Sequence, residues 1–337
     1  MENVKPLVSL VVPSRTYVLE DPSETDIERL EGSVRGLEEL GFEVVRTPGP
    51  WRNWKRFGGT DEERLAEFMT ALSDPDADLV LPVRGGYGMT RILPGIDWKR
   101  VAERNPVAMG FSDFTAFNMA LFARTGLSSW QGPMAGGLAP GHTTRSSQRS
   151  FLRALTASDW SLDWVQPGDP VAFEAAGTIW GGNLAMIVSL LGTPWFPKPE
   201  MIRGGLLFLE DVGEAPYRID RMLTQLEQAG VFDLQSAVVL GQFTDCGENG
   251  ARGDFTLGDA LDGLAGRLAR KGIGCVRGLP FGHVRELGAV PFGVPGRLQA
   301  LPSGSARLSS SSTPVIFRGR AELEARLAEL SSPHFED

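Results

Sequence analysis

The stretch PVAMGFSDFT, residues 106–115, reads as an apolar strand that stops at Gly110 and turns through Phe111, Ser112 and Asp113 into a helix-like segment. Strand followed at once by helix is the repeating unit of a parallel sheet with crossover helices, and the flanking sequence keeps that rhythm. Upstream, LVSLVVPSR (7–15) is a β-branched strand feeding a loop at Pro13 and Ser14. DIERLEGSVRGLEELG (26–41) carries apolar residues at helical spacing and stops at Gly41, a glycine suited to the position just past a helix end. FEVVRTP follows as a strand, and TDEERLAEFMTALSD (60–74) opens with Thr60 and Glu63 at capping-box spacing. ADLVLPVRGGYG (77–88) is a further strand running into glycines. These alternations predict an α/β fold whose first domain spans residues 1–150.

Beyond residue 140 the texture changes. PGHTTRSSQRS and SDWSLDWVQPGDPVAF are richer in Gly, Ser, Thr and Pro, which places a linker at 151–170 and a second, mixed α/β domain at 171–337. Within it, GTIWGGNLAMIVSLLGTPW (177–195) reads as a turn entering an apolar helix. GGLLFLED (204–211) and SAVVLGQFTDC (236–246) read as strands, and APYRIDRMLTQLEQAG (215–230) and GDALDGLAGRLARKG as helices. GIGCVRGLPFGHV approaches another strand and turn, PSGSARLSSSSTP (302–314) a hairpin connection, and the tail holds short β-like pieces.

Composition narrows the function. With 33 basic against 42 acidic residues, a net charge of −9 and no basic run, nucleic acid is not an expected partner. No apolar stretch approaches the roughly 20 residues that span a bilayer, and MENVKPLVSLVVPSR lacks the features of a signal peptide. Cys246 and Cys275 show no pairing or metal-ligand pattern, which fits a reducing cytoplasm. No G-x-G-x-x-G, P-loop or metal-ligand spacing is present, so neither a cofactor nor a metal is expected.

In a doubly wound sheet the ligand crevice lies beyond the carboxyl ends of the strands. Four features sit at such ends or turns: RGGYG (84–88), GFSD (110–113), LED (209–211) and PFGH (280–283). On a tight strand-to-helix corner Ser112 would be exposed to a base, with the Asp113 backbone N–H aimed at a developing oxyanion. Equally, Ser112 or Asp113 would serve as a helix cap. The chain holds three histidines; His142 lies in the junction and His334 near the C-terminus. His283, after the Pro-Phe-Gly turn, is the leading general base, or else a turn histidine bonded to backbone. Glu210 closes an apolar strand on the face of Leu206 and Phe208, where it would hold an imidazole; Asp211 points the other way and would cap the next helix. Gly85 and Gly86 would expose backbone N–H groups to an anion, or simply turn the chain.

Seven segments together resemble the LD-carboxypeptidase family of serine peptidases, whose relatives include the microcin C self-immunity hydrolases. In order they are RGGYGMTRILPGID (84–97), GFSDFTA (110–116), GPMAG (132–136), GGNL (181–184), LFLEDVGEAPYRIDRML (207–223), LGQF (240–243) and GLPFGH (278–283). The resemblance implies an N-terminal Rossmann-like parallel-sheet domain carrying the nucleophile Ser112. It implies a C-terminal, partly barrel-like domain carrying Glu210 and the base His283, and commonly a homodimer without metal. Backbone near Gly85, Gly86 and Asp113 would form the oxyanion hole, and Arg84 would bind the substrate's free carboxylate. The implied reaction releases terminal D-alanine from the murein tetrapeptide L-Ala-γ-D-Glu-meso-diaminopimelate-D-Ala during cytoplasmic cell-wall recycling. Two other readings stand beside it. One is a microcin C-type hydrolase of acyl-sulfamoyl adenylates, with Trp51, Trp54, Trp160 and Trp164 as stacking platforms; the other is a non-catalytic binding protein on the same scaffold. Trp130 and Gln131, in LSSWQ before GPMAG, are expected to shape the pocket wall.

Overall fold

The computed structural model describes residues 4–18, 24–247 and 255–332; His334 lies outside them. The first half is built on β1 (Leu7–Val11), flanked by β2 (Glu43–Val45) and β3 (Leu79–Pro82) in parallel register. Val8, Leu10, Leu79 and Leu81 are fully buried, as strands covered on both faces require. The Glu24–Glu39 and Asp61–Ser73 helices lie where the apolar periodicity puts them. Thr60 and Glu63 form the reciprocal capping box.

The segment 106–110 is not a full strand. It joins the sheet through parallel bridges at Ala108 and Met109 alone, after which Gly110 N donates to Trp130 O and the chain turns away. The Met109 bridge leads to β4 (Ser129–Gln131).

The second half is a seven-stranded sheet in the order β5-β12-β11-β6-β7-β8-β9. Its strands are β5 (Trp160–Val165), β6 (Phe173–Asn183), β7 (Gly205–Val212), β8 (Gln235–Thr244) and β9 (Gly274–Arg277), with β11 (Val294–Ala300) and β12 (Ser305–Ser310). From β6 to β9 the strands are parallel; the remainder pair antiparallel. The sheet is open, with β5 and β9 at its edges, so the barrel-like character expected of this half stops short of closure. Between the halves, β10 (Val290–Phe292) pairs antiparallel with β4 as a separate two-stranded sheet and passes through Gly293 into β11 of the seven-stranded sheet, linking the two halves.

Several expectations need correction. GTIWGGN is the end of strand β6, not a turn, and only Leu184–Ser189 after it is helical. The segment 151–170 contains the end of the Arg145–Thr156 helix and strand β5, because Trp160 and Trp164 bury their rings in the core and anchor it. PSGSARLSSSSTP does begin with the hairpin turn expected of it, joining β11 to β12, but the rest of the segment is β12 itself rather than connection. The short β-like pieces expected of the tail are β10, β11 and β12, and the Arg320–Leu330 helix, which buries Leu323 and Leu330, follows them unanticipated.

A buried polar seam joins the halves. Gln131 Nε2 donates to Gly181 O at 2.9 Å and to Thr115 Oγ1 at 3.1 Å, and Asn183 N donates to the same hydroxyl at 3.3 Å. Trp130 and Gln131 are both fully buried in this joint and are absent from the wall of the cavity beside Ser112. Gly182 has φ +128°, and a Cβ on it would overlap Gln131 Nε2 and approach Thr115 Oγ1 within 2.8 Å. Gly182→Ala therefore combines a left-handed backbone with an overpacked seam. It is expected to lower stability by about 2–4 kcal/mol, read from the shift of a urea unfolding midpoint.

Candidate active site

Ser112 occupies the corner anticipated for it, in an uncommon conformation. Its φ is +62°, in the left-handed region that costs a side-chain-bearing residue about 1–2 kcal/mol and that holds a hydroxyl clear of both flanking elements. The short 3₁₀ turn Ser112–Phe114 runs straight into the Thr115–Thr125 helix. Neither Ser112 nor Asp113 caps that helix through its side chain. Asp113 instead turns inward, accepting from Ser14 Oγ at 2.5 Å and Met89 N at 2.8 Å, so one carboxylate ties the corner to the loops after β1 and after RGGYG. Burial pushes its carboxyl above the usual range. Arg64, also buried, braces the same two loops by donating to Pro13 O and Gly88 O while pairing with Asp61.

The imidazole arrives from the other half. His283 Nε2 lies 3.1 Å from Ser112 Oγ, and Nδ1 lies 2.8 Å from Glu210 Oε2. With Nδ1–H donated to the carboxylate, Nε2 is left to accept the serine proton. Phe111 packs on the imidazole at 4.9 Å between ring centroids, and Gln242 N donates to Phe281 O, docking the PFGH turn on β8. Glu210 is wholly buried at the end of β7. Its second oxygen accepts from Asn183 Nδ2 at 3.2 Å, directly across the β6–β7 register.

Gly85 lies against the corner. A Cβ on it would come within 3.0 Å of Ser112 Oγ and 3.5 Å of Asp113 N, so glycine keeps open the space next to both groups. That space is where a carbonyl would meet a nucleophile and an N–H donor together. Gly86 follows with φ +115°, bringing the backbone over Arg15.

Ser112 and His283 open onto a cavity of about 480 Å³ whose wall includes Arg84, Gly85, Gly86, Tyr17 and Arg29. Thus Ser112, Glu210, His283, Asp113, Gly85, Gly86 and Arg84 converge on one region. Trp51, Trp54, Trp160 and Trp164 do not line this cavity, and the latter two are core residues.

Two family profiles match the sequence: the LD-carboxypeptidase N-terminal domain over residues 9–132 and the LD-carboxypeptidase C-terminal domain over residues 176–298. The chain belongs to the LD-carboxypeptidase family. A murein tetrapeptide carboxypeptidase of Pseudomonas aeruginosa is 31% identical over 296 residues, covering 85% of this chain and 91% of that one. The crystal structure of muramoyltetrapeptide carboxypeptidase from Oxalobacter formigenes superposes with a TM-score of 0.81 at 33% identity, over 92% of this chain and 100% of that one. The microcin C7 self-immunity protein MccF, solved in complex with aspartyl sulfamoyl adenosine, shares the fold, with a TM-score of 0.77 at 22% identity over 93% and 97% of the two chains. This LD-carboxypeptidase family member is accordingly a hydrolase of the carboxypeptidase class.

Three residues that brace the site in this structure are not singled out by the sequence reading: Arg64, Asn183 and Asp211. Asp211, read as a cap for the following helix, turns back instead, accepting from Ala185 N at 3.0 Å, Val212 N at 2.8 Å and Asn183 Nδ2 at 3.1 Å. One asparagine amide therefore bridges two neighbouring carboxylates. Burial first, and then the charge of Glu210, raise the Asp211 carboxyl to about 6. The folded state consequently holds the Asp211 proton more tightly than the unfolded chain, and this contribution to stability is present at low pH and lost as pH rises towards 6. Asp211→Asn removes that titration. Urea unfolding from about pH 4 to pH 7 is expected to show wild type losing about 2 kcal/mol relative to the variant.

Proposed function

We propose that this protein is an LD-carboxypeptidase that releases the terminal D-residue of a murein-type tetrapeptide, with Ser112 as nucleophile, His283 as general base and Glu210 as the carboxylate that orients it. Ser112 Oγ attacks the carbonyl preceding the terminal residue while His283 Nε2 takes its proton. Glu210 stabilises the imidazolium, and N–H groups at Asp113 and around Gly85 and Gly86 receive the oxyanion. His283 then protonates the departing amine, and water, activated by the same imidazole, releases the shortened peptide from Ser112.

The observation that carries the choice of substrate is the charge of the cavity. Arg29, Arg84 and Arg285 line it, and no Asp or Glu does so among the described residues, on a chain of net charge −9. Such a wall suits a peptide rich in carboxylates. Arg84 is the residue proposed to take the terminal carboxylate: its buried Nε has no hydrogen-bond partner among the described residues, and it lines the cavity together with Gly85 and Gly86, which follow it in the chain. An adenylate substrate draws no comparable support, since none of the four tryptophans considered for stacking lines this wall.

Incubation with L-Ala-γ-D-Glu-meso-diaminopimelate-D-Ala, followed by mass spectrometry, tests the proposal. Wild type is expected to remove one D-alanine, Ser112→Ala none, and Glu210→Gln to turn over about 10⁴-fold more slowly. Intact tetrapeptide with the wild-type enzyme, together with cleavage of an acyl-sulfamoyl adenylate, would transfer the assignment to the other branch of the family.

A further inference from the structure

The cavity holds more positive charge than one terminal carboxylate requires, and two of its arginines converge on a single ring. The guanidinium carbon of Arg84 lies 4.6 Å from the centroid of Tyr17, and that of Arg29 lies 5.2 Å from it. Tyr17 is buried, so the ring is a fixed platform rather than a mobile rim residue. Arg29 reaches it from the Glu24–Glu39 helix and is held by donation of Nε–H to Gly136 O at 3.3 Å, in the GPMAG segment. Nε is so engaged, and among the described residues no hydrogen bond to the two terminal nitrogens of Arg29 is found. His142 shares the wall, and the nearby Arg29 helps hold its imidazole below the ordinary value, after burial.

Both guanidiniums therefore sit at one end of the cavity, no more than about 10 Å apart given their distances to the shared ring. Arginine presents a planar fork that matches a carboxylate in two parallel hydrogen bonds, and each fork serves one carboxylate well. A ligand with a single carboxylate satisfies one fork and leaves the other guanidinium without a carboxylate from the ligand. A ligand with two, spaced by a few bonds of peptide backbone, satisfies both.

We infer that Arg29 binds a second, internal carboxylate of the substrate, in addition to the terminal one at Arg84, and so selects peptides whose internal carboxylate is free over those in which it is amidated. The inference rests on the peptidase reading above. It makes Arg29 a specificity-determining residue and Tyr17 the residue that positions it.

The test compares three substrates on two enzymes. The substrates are the tetrapeptide L-Ala-γ-D-Glu-meso-diaminopimelate-D-Ala, its derivative with the glutamate α-carboxylate converted to carboxamide, and its derivative with the diaminopimelate side-chain carboxylate so converted. The enzymes are wild type and Arg29→Gln. For wild type, one derivative is expected to show kcat/KM at least about tenfold below the parent, the scale of one charge-assisted hydrogen bond. Arg29→Gln is expected to lose a similar factor on the parent and to lose nothing further on that derivative. The ratio between substrates is read within each enzyme, so a fraction of inactive protein does not enter it. Equal turnover of all three substrates by wild type, or a preference for the free carboxylate that survives in Arg29→Gln, would overturn the inference while leaving the peptidase reading in place. A parent peptide untouched by wild type would remove both.

Discussion

The site depends on a joint. Ser112 stands at the end of the first sheet, whereas Glu210 and His283 stand on the second, so the 3.1 Å and 2.8 Å contacts among them hold only while the two halves keep register. The seam of Thr115, Gln131, Gly181 and Asn183 supplies that register close to the functional groups. Thr115 opens the helix that follows Ser112, and Asn183 lies opposite Glu210 on the neighbouring strand. Every donor in the seam is buried, so separating the halves would leave polar groups unpaired in an apolar setting, at about 1–3 kcal/mol for each. The assembled geometry is therefore a property of the folded chain itself.

Around the joint, charge is segregated. Three buried carboxylates, Asp113, Glu210 and Asp211, stand behind the serine, each held by donors from neighbouring backbone or side chains. In front of it the wall is lined by arginines. Such an arrangement keeps the negative groups that support the imidazole away from an anionic ligand and gives that ligand positive charge on the side it enters. The acidic surface implied by the net charge of −9 is no obstacle to this, because binding is decided by the local field in a cleft with low-dielectric walls.

Much of this was legible in the sequence, for identifiable reasons. The Thr60 capping box and the strand of GGLLFLED follow from local rules that tertiary contacts did not override. Ser112, Glu210 and His283 were singled out because each sits where a strand stops or a rigid turn ends, and the order of the family motifs tied them together. What failed was long-range. GTIWGGNLAMIVSLLGTPW reads as a turn into a helix, whereas GTIWGGN continues strand β6, where Gly182 lets Gln131 and Thr115 reach the strand backbone. Trp130 and Gln131, expected at the pocket wall because LSSWQ departs from the family pattern before GPM, are carried by β4 into the joint instead. Arg64 lay among charged residues in a helix opening, where nothing local distinguishes a buried guanidinium from a solvated one. Asp113 offered a backbone N–H to sequence reasoning, while its carboxylate, which fixes two loops, had no sequence-adjacent partner to reveal it.

The account stands on one claim, that Ser112 is an activated nucleophile in the resting protein because His283 and Glu210 are already in place across the joint. Its most direct test is covalent labelling with a serine-directed fluorophosphonate, followed by peptide mapping of wild type and His283→Ala. The account predicts a single adduct on Ser112 in wild type and little or none in the variant. Labelling of Ser112 that is equally fast without His283, or an active enzyme whose Ser112 is never modified, would contradict it.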